Sequence, residues 1–120
     1  MQEECAGWKR MLELLMHENV GLKTRLAEIV KESKEGHDFV ALAEHYHNTL
    51  MREDEIIYLA RRDVADLDKL LLREVFEDGI LYGEVNRKHK RLRKELLKIE
   101  KDFNKLKQGF DVFFNKKIQK

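Results

Sequence analysis

The chain is 120 residues long, has no proline, six glycines and one cysteine, and its 24 basic and 23 acidic residues leave a net charge of +1. With 42% hydrophobic and 39% charged residues it has the balance of long exposed helices around a narrow core, and its length suits one domain over residues 1–120. No stretch approaches the roughly 20 apolar residues that span a bilayer, the chain opens on Gln2, Glu3 and Glu4 rather than a basic and then apolar signal segment, and the lone Cys5 excludes an intrachain disulfide. The expectation is a cytoplasmic protein with no membrane partner and with Cys5 serving as packing.

The first expected helix, about residues 3–34, places Cys5, Trp8, Leu12, Leu15, Asn19, Leu22, Leu26 and Ile29 at alternating spacings of three and four, the signature of a coiled-coil seam. A break follows at 34–38, where Gly36 suits a helix C-cap and Asp38 an N-cap for the next helix. The second helix, about 38–77, carries Ala43, Tyr46, Leu50, Glu53, Ile57, Ala60, Val64, Leu67 and Leu71 on its seam. A second break spans Asp78 and Gly79 through Gly83. The third helix, about 84–118, repeats Val85, His89, Leu92, Leu96, Ile99, Phe103, Leu106, Phe110 and Phe113. Short loops make neighbours antiparallel, so the sequence predicts an all-α, elongated, antiparallel three-helix coiled-coil bundle.

Pairing the seams through both turns sets Trp8 with Val64 and Leu96, Leu12 with Ala60 and Ile99, and Leu15 with Ile57 and Phe103. Further along, Leu22 meets Leu50 and Phe110, and Leu26 meets Tyr46 and Phe113. One polar layer sets Asn19 against Glu53, beside Leu106, with Lys105 and Lys107 at its edge. A partly buried polar pair of this kind costs stability and penalises slipped registers, where each group would lose its partner.

Charge is segregated along the chain. Residues 1–83 hold 11 basic and 18 acidic side chains, a net of −7, and residues 84–120 hold 13 and 5, a net of +8. The simplest meaning is a basic helix packed beside acidic ones, since flanking charges select helix partners. The sharper one is a phosphate-binding stripe of Arg87, Lys88, Lys90, Arg91, Arg93 and Lys94, because Lys and Arg displace counterions from a nucleic-acid backbone. That stripe has no interleaved aromatics and no helix-turn-helix or zinc-finger pattern around it.

Catalytic chemistry has little footing. Glu44 and His47 have the spacing of half a di-metal carboxylate site, which needs a second such pair and two more Glu. With His37 and His45 they read as solvated, and His89 reads as a capped histidine on the third seam. There is no Gly-rich phosphate loop and no nucleophile beside a base, so no cofactor, metal or small-molecule substrate is expected. A binding surface is expected instead at the tip of the second hairpin. There Leu70, Leu71, Leu72, Val75, Phe76, Ile80, Leu81, Tyr82 and Val85 project past the start of the first helix, with Leu72, Phe76 and Ile80 as anchors and Leu81 and Tyr82 beside them. The alternative is that the loop folds back, or that the first helix starts earlier and covers these side chains.

The stretch Leu42–Val64, LAEHYHNTLMREDEIIYLARRDV, followed by LREVFEDG and the basic helix from Asn86, resembles short all-helical bacterial proteins of a coiled-coil family of unknown function. The resemblance implies a helical hairpin or bundle in the bacterial cytoplasm and brings no activity, cofactor or site residue. The expected role is a non-enzymatic interaction or scaffold module with a protein partner or a second copy at its tip. One alternative is a nucleic-acid-associated protein using the third helix. The other is a metal-dependent, four-helix-like enzyme formed on dimerisation.

Overall fold

A computed structural model describes residues 1–32, 36–76 and 80–118, without the side chains of His37, Asp38, Phe76 and 116–118. Three helices, α1 (Gln2–Glu32), α2 (His37–Phe76) and α3 (Tyr82–Ile118), form an elongated antiparallel bundle of 64 × 18 × 17 Å. α1 and α3 run parallel to each other and antiparallel to α2, since Glu4 meets Arg93, Glu18 meets Lys107 and Arg25 meets Asp111 in rising order. Among the described residues no helix is long and apolar enough to cross a membrane.

The seams become the core as expected. Every residue of the five apolar layers is buried or half-buried, with Leu12, Leu50, Val64, Phe103 and Phe110 wholly sealed. Large rings close the end remote from the tip. The Tyr46 ring lies 5.1 Å from Phe113 and 5.6 Å from Phe110, its hydroxyl donates to the Gly109 carbonyl at 3.1 Å, and Phe39 stacks on Phe113 at 5.8 Å. Arg25 extends this cluster from α1, its guanidinium 3.9 Å from the Phe114 ring centre.

Both breaks sit slightly differently from the sequence reading. α2 begins at His37, because the Gly36 carbonyl accepts the N–H groups of Phe39 (3.2 Å) and Val40 (3.3 Å); Gly36 thus holds the N-cap position and Asp38 falls inside the first turn. Phe39 is buried against Phe113, and that burial favours the earlier start. α3 begins at Tyr82, with the Leu81 carbonyl accepting the Val85 N–H at 2.9 Å, so Gly83 lies within the helix rather than in the turn. Leu81 packs on the core four residues before the buried Val85, extending the seam back by one step and outweighing the glycine's poor helix propensity. Residues 33–35 and 77–79, including the expected turn at Asp78 and Gly79, lie outside the described residues.

Candidate interaction surfaces

The tip is half covered. α1 starts at Gln2, and Met1, Gln2 and Glu3 lie beside Leu71, Glu74 and Val75. Leu70, Leu71 and Val85 are buried and Leu81 is half-buried. What remains in the open is Leu72 at 56%, Val75 at 64%, Ile80 at 80% and Tyr82 at 61% exposure. Of the expected anchors, Leu72 and Ile80 are at the surface, and the Phe76 side chain lies outside the described residues. Val75, expected among the projecting residues though not as an anchor, is exposed as well.

In the polar layer the partner of Asn19 is Asp54, not Glu53. Asn19 is fully buried and its amide donates to the Leu50 carbonyl at 2.9 Å and to Asp54 Oδ1 at 2.7 Å, while Lys23 holds the second Asp54 oxygen. The reason is helical phase: one residue turns the helix by roughly 100°, which moves the acceptor from the α3 side of α2 to the α1 side where Asn19 stands. Asn19 Oδ1 is buried without a partner among the described residues. Glu53 instead faces α3, and burial, reinforced by the nearby charge of Asp102, holds its carboxyl above the usual carboxylate range. Lys107 closes the layer on Glu18 at 3.2 Å, and Lys105 is exposed.

The acidic surroundings of α3 engage one side of it. Glu4 accepts from Arg93 at 3.0 and 3.2 Å and bonds His89 at 3.1 Å, and the Arg93 hydrogen bond holds the Glu4 carboxyl below the usual range. His89 is accordingly a capped core histidine, its ring 5.4 Å from that of Trp8. Arg93 is thereby removed from the proposed phosphate stripe, and Lys88 is half-buried. Arg91 lies 3.8 Å from Glu95 one turn along, and Arg87, Lys90 and Lys94 are exposed. The exposed row continues where the sequence reading stopped, through Lys98, Lys101 and Lys105, at the same alternation of four and three from Arg87. Among the described residues no ion pair crosses from α2 to α3.

Open grooves flank α2, and two of them have floors of aliphatic or aromatic side chains. One, of about 560 Å³, runs between α1 and α2 over Leu26, Ala27, Val30, Phe39, Val40 and Ala43, with Lys23, Lys31, Glu44 and His47 on its rims. The other, of about 380 Å³, runs between α2 and α3 over Ile56, Leu59, Ala60 and Ile99, rimmed by Glu53, Asp63, Glu95, Lys98 and Asp102. Neither groove is marked by the seam pattern, although Glu95 and Asp102 stand seven residues apart on α3 and so share a face. Among the described residues no three metal-ligating side chains come together, and Glu44 and His47 sit on the exposed rim. Cys5 is wholly buried, which pushes its thiol upward, away from reactivity. Comparison with protein-family models, with curated proteins and with solved structures finds no match to the chain, so the functional reading rests on the fold and these surfaces.

Proposed function

We propose that this chain is a non-enzymatic interaction module, a stiff rod that presents the tip of the α2–α3 hairpin to a protein partner. The observation that carries the reading is the group of Leu72, Val75, Ile80 and Tyr82, each more than half exposed above a core already closed by Leu70, Leu71 and Val85. Contiguous exposed apolar surface marks binding sites more often than it decorates an inert end. A partner helix laid across the tip would bury these side chains as anchors. The test compares immobilised wild type with a Leu72→Glu, Ile80→Glu variant of matched helicity in an extract of the native host. Proteins held by the wild type and released by the variant are the expected result; identical retention by both overturns the tip as the docking surface.

A second reading is favoured by the exposed row Arg87, Arg91, Lys94, Lys98, Lys101 and Lys105, roughly 27 Å long at 1.5 Å per residue. A row of cations of that length, interleaved on one side with Glu95 and Asp102, can follow the phosphate backbone of a nucleic acid. Retention on a polyphosphate column that falls steeply with salt, and is lost on Lys94→Glu, Lys101→Glu substitution, distinguishes it from the first.

A further inference from the structure

The groove between α2 and α3 has an apolar floor and a charged α3 wall with an order of its own. Arg91, Glu95, Lys98 and Asp102 follow one another at spacings of four, three and four, which puts them in one row along the helix. Glu95, Lys98 and Asp102 line the groove, and Arg91 joins the row through its contact with Glu95 at 3.8 Å. Their signs read plus, minus, plus, minus, and in reverse minus, plus, minus, plus. Two such rows are therefore complementary when laid antiparallel, and a parallel alignment sets like on like.

We propose that this face binds a second copy of the chain, the two α3 helices lying antiparallel about a two-fold axis between Glu95 and Lys98. Arg91 then meets the partner's Asp102, and Glu95 meets the partner's Lys98; symmetry doubles both pairs, as an isologous interface requires. The α2 wall fits the same arrangement. Glu53 shares its end of the groove with Asp102 and so comes beside the partner's Arg91, while Asp63, toward the axis beside Glu95, comes near the partner's Lys98. Within one chain Glu53 and Asp102 oppose each other, which is one of the two causes that raise the Glu53 carboxyl, and no α3 cation pairs with Glu53 or Asp63 among the described residues. Leu59, 46% exposed about one turn from the axis, and the half-buried Ile56 beyond it add apolar area to the contact. This surface is separate from the tip and does not depend on it.

Sedimentation equilibrium of the full chain, from about 5 to 500 µM at roughly 50 mM salt, tests the proposal. The wild type is expected to form dimers that weaken with added salt, since partly exposed ion pairs are screened. Lys98→Glu turns two attractions into two repulsions and is expected to raise the dissociation constant about 10-fold or more. Glu95→Lys with Lys98→Glu exchanges the signs, keeps the net charge, and is expected to restore the dimer. Arg91→Glu, rescued by Asp102→Arg, repeats the logic at the outer pair and serves if the first variant fails to fold. Dimers persisting in the tip variant Leu72→Glu, Ile80→Glu belong to this face. A wild type that stays monomeric throughout, a dimer indifferent to Lys98→Glu, or a charge swap that does not restore association at either pair overturns the proposal.

Discussion

Asn19 and Glu53 show how one residue of helical phase decides what a polar group does in a narrow core. Asn19 donates twice into α2 and leaves its carbonyl oxygen unsatisfied, so its hydrogen bonds, each about 0.5–1.5 kcal/mol net, are offset by an orphaned acceptor costing about 1–3 kcal/mol. Asn19→Leu is therefore expected to match or exceed wild-type stability, by up to about 2 kcal/mol in denaturant unfolding, because Asp54 keeps Lys23 and no new group is stranded. Asn19→Asp sets a second carboxylate against Asp54 and is expected to lose about 3–5 kcal/mol at neutral pH. Equal stability of the two variants would refute this assignment. Glu53 gives a pH signature. Its folded carboxyl titrates above the unfolded value of 4.5, so what it contributes to stability is complete below about pH 4.5 and is lost as pH rises through the raised value. In dilute monomer, Glu53→Gln should raise stability at pH 7 by about 0.5 kcal/mol or less, the group being only half-buried, and should flatten the melting temperature across that window. Glu4 acts in the opposite sense: its lowered carboxyl contributes above its unfolded pKa and loses that contribution as pH falls through the folded one.

At the scale of the elements, the alternation of three and four determined the three helices, their order and the five apolar layers. Periodicity averages over many side chains and tolerates a stray one, so Asn19 did not disturb it. The ends were less legible, because a glycine reads equally as a stop or as a tolerated first-turn residue, and tertiary burial decides between them. Phe39 decides at Gly36 and Leu81 at Gly83. The flanking ion pairs were legible only as a trend, since an excess of one sign names a neighbour without naming the rotamer that reaches it. Gly21 is a further case in which local preference and structure disagree. It lies within α1, exposed, and a Cβ added there would meet nothing within 4 Å. Gly21→Ala is expected to raise stability by about 0.5–1 kcal/mol, seen as a melting temperature several degrees higher. An unchanged or lower value would mean that the α1 backbone at this point departs from a regular helix.

The whole molecule is a rod 64 Å long with buried side chains along its length; four exposed apolar residues gather at the tip, and others, such as Tyr58, Leu97 and Val112, are spread singly along it. The tip was visible in the sequence as a surplus of Leu, Ile and aromatic residues beyond the expected reach of the first helix. How much of it α1 covers was not, because a helix start a single residue earlier brings Met1 over Leu71. The grooves beside α2 escaped for a related reason. A groove is the space left between two elements, and a one-dimensional pattern records what fills a seam rather than what it leaves uncovered.

The link from Asn19 to Leu50 and Asp54 lies wholly between α1 and α2, the pair that packs most extensively, and makes no bond to α3. Its consequence belongs to the order of assembly. A hairpin of neighbouring helices closes a shorter loop than the contact of α1 with α3, and helical topologies rich in such near contacts fold on the microsecond to millisecond scale. The α1–α2 register is then set before α3 docks, so the nucleus should be polarised toward the first hairpin. In stopped-flow chevrons, Asn19→Ala should move mainly the refolding limb and Phe103→Leu, in a fully buried α3 position, mainly the unfolding limb. The reverse pattern would place α3 in the nucleus and leave the buried amide as a late check on alignment.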